Sequence, residues 1–158
     1  MSENFEQIYS EHFADVYKFA LSLSQNESVA EEVTQETFFK AMRSMDKFNG
    51  KCKLYVWLCQ IAKNTYFSLY QKRKRYVSSD DTDLQSEIDI EAAYLDKDTA
   101  KQLHSLLHNL DEPYKEVFTL RVLGELPFSQ IGELFGKTDS WARLVFYRAK
   151  KQLQEGLK

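Results

Sequence analysis

The chain has 158 residues, 43% of them hydrophobic and 28% charged, enough to bury one core of ordinary size or two small ones. With 5 Gly and 2 Pro and no stretch of sustained alternation, it lacks the turn chemistry of a sheet protein, so an all-α fold is expected. The net charge of −3 argues against coating DNA by bulk charge, but the total conceals a pattern. Residues 1–79 carry 11 basic and 9 acidic side chains, residues 80–98 carry 1 and 8, and residues 99–158 carry 9 and 7. Two mildly basic modules therefore flank an acidic connector.

The polar start Met1-Ser2-Glu3-Asn4 is not followed by an apolar run of signal or membrane length, so a cytoplasmic protein is expected. Cys52 and Cys59 have the spacing of neither a metal knuckle nor a redox pair and are expected as reduced structural thiols. His104 and His108 share a helix face but lack a third ligand, and no metal or cofactor is expected.

In chain order, the first helix is expected from about Asn4 to Ser24, with Phe5, Ile8, Tyr9, Phe13, Val16, Tyr17, Ala20 and Leu21 as its buried stripe. Ser24-Gln25-Asn26 breaks it. Ser28 then suits the N-cap of a second helix running to Met45, with Glu31 completing a capping box. At about 100° per residue, Ala30, Val33, Thr34, Thr37, Phe38, Ala41 and Met45 fall inward. Outward stand Glu31, Glu32, Gln35, Glu36, Phe39, Met42 and Arg43. An acidic face with Phe39 and Met42 set into it suits a basic, partly apolar partner; a single exposed Phe on a solvated helix is the plainer alternative.

The loop Phe48-Asn49-Gly50-Lys51-Cys52-Lys53 leads to a third helix, Leu54 to Arg75. Leu54, Trp57, Leu58, Ile61, Ala62, Thr65 and Leu69 project inward, and Gln60, Lys63, Asn64, Phe67, Tyr70, Gln71 and Lys74 outward. Lysines interleaved with aromatics and amides suit a nucleic-acid strand, because cations neutralise phosphate and rings stack on unpaired bases. The run Lys72-Arg73-Lys74-Arg75 fits that use and equally fits a basic helix C-terminus favoured by the macrodipole.

From Ser78 to Asp98 the chain is too polar and acidic to fold alone and is expected as a linker. Fully extended, Asp80 to Asp98 spans roughly 60 Å, enough to let the modules occupy separate sites of one large partner; an inert tether is the other reading. Near Thr99 a helix begins, marked by Leu103, Leu106, Leu107 and Leu110. Asp111-Glu112-Pro113 starts the next, which carries Val117, Phe118, Arg121 and Val122 and stops at Gly124. After Pro127 comes a short helix with Ser129 as N-cap, Ile131 and Leu134 inward, and Gly136 as its stop. The turn Lys137-Thr138-Asp139 leads to a last helix, about Ser140 to Leu153, completing a helix-turn-helix. Ala142, Phe146, Ala149 and Leu153 face inward; Ser140, Arg143, Leu144 and Tyr147 are placed to reach base edges in a major groove, and Lys137, Arg148 and Lys151 to hold phosphates. A helical hairpin used for packing alone explains the cation placement less well.

Ala30-Glu31-Glu32-Val33-Thr34-Gln35-Glu36-Thr37-Phe38-Phe39-Lys40-Ala41, then Phe48-x-Gly50 and Trp57-Leu58-x-x-Ile61-Ala62-x-Asn64, closely resemble the second conserved region of bacterial extracytoplasmic-function (ECF) sigma factors of the sigma-70 family. Gln130-Ile131-Gly132-Glu133-Leu134-Phe135-Gly136 through Ser140-Trp141-Ala142-Arg143 to Tyr147-Arg148-Ala149-Lys150 resembles their fourth region. The resemblance implies two helical domains, residues 1–77 and 99–158, joined by a flexible acidic linker, residues 78–98. It implies that Glu31, Glu32, Gln35, Glu36 and Phe39 bind core RNA polymerase. Asn49, Lys51, Lys53, Lys63, Asn64, Phe67, Tyr70 and Lys74 would engage the minus-ten promoter element as it melts, with a base flipped from the stack. Lys137, Thr138, Ser140, Arg143, Leu144, Tyr147, Arg148 and Lys151 would engage the minus-thirty-five element as duplex.

The implied protein performs no chemistry; catalysis belongs to the polymerase. It is a monomer when free, is held inactive by an anti-sigma factor, soluble or at the membrane, and has closed and transcribing states that differ in domain spacing. The chain departs from the family pattern at Ser68 and Gln71, where Asp and Arg are common, and at Gly132, where Ala is usual. Trp141 is bulky for the start of a recognition helix, and packing against the preceding helix is favoured over DNA contact. A helix-turn-helix regulator acting without polymerase is the alternative, and the acidic Phe39 face speaks against it. A hydrolase would need convergent acids, His or Cys, which the sequence does not bring together.

Overall fold

The computed structural model describes residues 2–48, 50, 52–80 and 104–157, and among these residues the regular structure is helical with no strand. Helix α1 spans Ser2–Ser24, α2 Glu27–Ser44 with a 3₁₀ turn at Met45–Lys47, and α3 Leu54–Asp80. Residues 104–109 form α4, followed by α5 (Tyr114–Val122), α6 (Phe128–Phe135) and α7 (Asp139–Leu157).

The first three helices pack on one another through the stripe that the helical period predicts on α2: Ala30, Val33, Thr34, Thr37, Phe38 and Ala41 are buried, while Met45 sits half-buried in the 3₁₀ turn. Phe38 is the centre of this packing, with the rings of Phe5, Tyr9 and Phe13 at 6.5, 5.0 and 6.2 Å. Truncating such a residue to Ala costs about 3–5 kcal/mol. The two buried threonines are accommodated because each hydroxyl donates to a carbonyl one turn back, Thr34 to Ala30 at 2.6 Å and Thr37 to Val33 at 2.7 Å.

Helix boundaries depart from the sequence reading where a loop residue takes over the cap. Gln25 adopts φ 53°, so the first extended residue is Asn26, whose Oδ1 accepts the Val29 N–H at 3.1 Å. Ser28, expected as the cap, lies inside α2. Likewise α6 starts at Phe128, one residue before Ser129, because Pro127 supplies the extended entry and its carbonyl accepts from Gln130 and Ile131 at 3.1 Å each. At α7 the cap is Thr138, whose Oγ1 accepts the Trp141 N–H at 3.1 Å, so the helix starts at Asp139 rather than Ser140. Helix α3 continues beyond Arg75 to Asp80, three residues into the stretch read as linker; residues 81–98 and Leu103 lie outside the described residues.

In the C-terminal half, Leu107, Val117, Leu120, Ile131, Ala142, Val145, Ala149 and Leu153 are buried together. The helix-turn-helix is unusually close at its corner. Gly136 takes the left-handed conformation, φ 69°, and Lys137 N–H returns to the Gly132 carbonyl at 2.8 Å, a Schellman closure. A Cβ on Gly132 would lie 2.6 Å from the Thr138 carbonyl oxygen and 2.9 Å from that of Lys137.

The two halves share one contiguous core, with α3 packed on α5 and α6. The shared core reaches α1 and explains two buried residues outside its expected stripe, Phe19 and Leu23. Phe19 Cε1 comes within 3.3 Å of where a Cβ on Gly124 would stand, and the Leu23 backbone hydrogen-bonds His104.

Candidate polymerase and nucleic-acid interfaces

On α2, Glu31, Glu32, Gln35 and Glu36 are exposed on one face, as their spacing predicts. Phe39 and Met42 stand among them at 48% and 49% exposure. The Arg43 guanidinium lies 5.5 Å from the Phe39 ring centroid, which holds the ring without covering it. Two large apolar side chains kept half in water beside carboxylates form an apolar anchor with an anionic rim.

The outward face read for α3 requires correction. Asn64 and Lys53 are exposed, but Lys63 is 3% and Phe67 5% exposed, and Tyr70 is half-buried. Asn49, Lys51 and the Lys74 side chain lie outside the described residues. The cover is the start of the C-terminal module. Lys63 Nζ donates to Glu112 Oε1 at 2.8 Å and Glu116 Oε1 at 3.2 Å, and Gln60 Nε2 donates to Glu116 Oε2 at 3.0 Å. The Lys115 ammonium stands 5.1 Å over Phe67, and Tyr70 meets the rings of His104 and His108 at 4.6 and 4.8 Å. Tyr66 Oη and His104 Nε2 are 2.6 Å apart. Helical periodicity gives the direction of a side chain but not what another domain lays on it; hence the face was legible and its burial was not.

Burial sets the electrostatics of this seam. It pushes the Glu116 carboxyl up, against the pull of Lys63 and Gln60. It also drives His104 down to about 4, with neighbouring His108 adding to the effect and the bond to the Leu23 backbone opposing it. His104 and His108 thus serve as packing partners, and among the described residues no group of three or more potential ligands could hold a metal. Beside the ion pairs an open cleft of about 560 Å³ is lined by Asn64, Ser68, Gln71, Lys115 and Phe135, among others.

On α7, Ser140, Arg143, Leu144, Tyr147, Arg148 and Lys151 are exposed together, with Lys137 and Thr138 at the helix start. Trp141 packs on Phe135, ring centroids 5.1 Å apart, as bulk at that position predicts. The sequence reading passed over Phe128, on α6, whose ring lies beneath two guanidinium groups, Arg121 at 4.3 Å and Arg143 at 4.8 Å. It also passed over Glu112 and Glu116 as partners of Lys63; their place in an acidic first turn was visible, but not what they face. The thiols are free: Cys59 is buried, and burial raises it to about 12. Among the described residues no helix is long and apolar enough to cross a membrane.

An acidic, partly apolar face on α2, cations and rings on α3, and a helix-turn-helix in the C-terminal half are more than a lone repressor domain requires. Known proteins narrow the class. The family description Sigma-70 region 2 matches residues 8–76, and Sigma-70, region 4 matches residues 100–153. ECF RNA polymerase sigma factor SigM of Bacillus subtilis (strain 168) is 26% identical over 151 residues, covering 94% of this chain and 92% of the relative. RNA polymerase sigma factor CarQ of Myxococcus xanthus is 28% identical over 156 residues, 96% of this chain and 87% of the relative. Among solved structures, the sigma factor RpoE in complex with the anti-sigma factor NepR from Bartonella quintana superposes with TM-score 0.57 at 23% identity, covering 98% of this chain and 97% of that one. CnrH in complex with the cytosolic domain of CnrY gives 0.56 at 20% identity, covering 98% and 88%. This chain belongs to the sigma-70 family and is an ECF sigma factor.

Proposed function

We propose that residues 1–77 dock on core RNA polymerase through Glu31, Glu32, Gln35, Glu36 and Phe39 and engage the minus-ten element through the loop after Phe48 and the face of α3. Residues 99–158 engage the minus-thirty-five element through α7, and residues 78–98 connect the modules. The protein directs the polymerase to its promoters and assists melting, and the bond-making belongs to the polymerase. It acts in the cytoplasm, and an anti-sigma factor restrains it, a reading supported by the fold shared with a sigma factor crystallised with one.

The observation that carries the docking reading is the half-exposed Phe39 and Met42 within an acidic face. Purified core polymerase, with and without this protein, is to be assayed on a genomic fragment library with start sites mapped. New starts sharing two spaced upstream elements are expected. The double variant Glu32→Arg with Phe39→Ala should lose core co-elution and these starts, by about 2 kcal/mol or more in binding, while duplex binding by α7 persists. Unaltered co-elution of that variant would reject the α2 assignment.

The face of α3 assigned to the promoter strand is held in this structure by Glu112 and Glu116. Strand engagement on Lys63, Phe67 and Tyr70 therefore requires the modules to part, with two carboxylates exchanged for phosphates at one ammonium.

A further inference from the structure

Base reading by an exposed arginine depends on where its guanidinium rests before DNA arrives. A free arginine side chain has about 2 kcal/mol of rotamer entropy to lose, and one already held loses less on binding. On α7 the exposed cations differ in this respect. Arg143 stands with its guanidinium carbon 4.8 Å from the Phe128 ring centroid and one terminal nitrogen 4.0 Å from Asp139 Oδ2, on the preceding turn. More than half of its side chain is nevertheless in water, so its donor groups are not consumed.

Phe128 is itself fixed. It is 9% exposed, meets Phe146 edge-on with centroids 5.5 Å apart, and Phe146 stacks on Phe118 at 5.6 Å. Arg121 lies over the same ring at 4.3 Å and donates to the Leu126 carbonyl at 3.2 Å. The ring is thus anchored in the core of the helix-turn-helix yet placed against a side chain of the recognition helix. A guanidinium is planar by delocalisation, and one held over a ring can keep its N–H edge free for a bidentate approach to the N7 and O6 acceptors of a guanine.

We infer that Phe128 is a positioning residue for promoter specificity, holding Arg143 in register to read one guanine edge of the minus-thirty-five element. This rests on the proposed role of α7 in that element. Phe128 touches no DNA; it acts through Arg143.

The test is transcription by core polymerase with the full chain on promoters carrying each base at every minus-thirty-five position. Arg143→Ala should flatten discrimination at one position by about tenfold or more. Phe128→Leu should flatten the same position by about threefold to fivefold, leave the other positions unchanged, and add nothing in the Arg143→Ala background. Phe128→Tyr, which keeps the ring, should retain discrimination. A uniform loss at all positions in Phe128→Leu overturns the inference. If Arg143→Ala leaves every position unchanged, the reading of Arg143 itself fails, and Phe128 has nothing to position. Should Phe128→Leu not fold, the wild-type chain decides by NMR: ring-current-shifted, ordered Arg143 side-chain signals are expected, and freely averaged ones refute the contact.

Discussion

Gly132 shows how one missing methyl sets the geometry of the recognition module. In a helix interior, Gly is about 1 kcal/mol worse than Ala, so propensity alone favours replacement. The turn forbids it: two carbonyl oxygens lie within 3 Å of the absent Cβ, and both belong to backbone that the Schellman closure and the Thr138 cap hold in place. We expect Gly132→Ala to destabilise the C-terminal module by about 1–3 kcal/mol in urea unfolding, despite the family's usual Ala. A neutral or stabilising result would mean that the turn yields by several tenths of an ångström at little cost.

At the scale of the element, each amphipathic helix has a face with a distinct fate. The faces of α2 were legible from its own period except at its ends, where Val29 is buried beyond the expected stripe and Met45 is half-buried in the 3₁₀ turn; its packing partners are the flanking helices α1 and α3. The α7 pattern was legible for the same reason, down to the packing of Trp141 on Phe135. The α3 pattern was legible only as chemistry: its cations and rings were identified, but their burial depends on α4 and α5, at least thirty-four residues away for the pairs described. Caps were the weakest part, because Asn26, Pro127 and Thr138 each owe their role to the preceding turn rather than to the helix that follows. On α7, Arg148 and Lys151 are exposed beyond the aromatic corner, where phosphate contact is the physical expectation. Replacing either by Ala should weaken duplex binding about equally for all sequences and reduce the salt slope by about 1. A sequence-dependent loss would reassign that residue to base reading.

For the whole molecule, the decisive feature is the seam between the halves. Its only described ammonium nine-tenths buried or more, that of Lys63, meets two carboxylates, and removing one partner of such a pair costs about 3–5 kcal/mol. Lys63→Met, which leaves the buried Glu116 carboxylate without its ammonium, is therefore expected to part the modules, seen as a larger radius in solution scattering. An unchanged radius would show that the seam is held by its rings rather than its charges. His104 makes the same contact sensitive to acid. When the halves part, its value returns toward 6.5 from about 4, so the open form binds the proton more tightly. The closed form keeps its full advantage above the ordinary value and loses it as pH falls from 6.5 to about 4, by about 1–3 kcal/mol. Glu116, raised in the closed form, opposes this as pH falls because closure favours its protonation. Opening measured between about pH 7 and 5 should lose its rise toward acid in His104→Gln; persistence of that rise would place the titration elsewhere.

The positions of these faces also impose an order of events. The acidic side of α2 lies open while the side of α3 proposed for the promoter strand is occupied, so on that proposal recruitment does not wait for exposure. Rapid mixing with core polymerase should then give a first phase whose rate scales with polymerase concentration and a second that does not, its speed being that of the halves coming apart. Such a protein can be gathered by the polymerase while its strand-binding surface is still shielded, and the delay between the two phases is time during which the wrong DNA is not held.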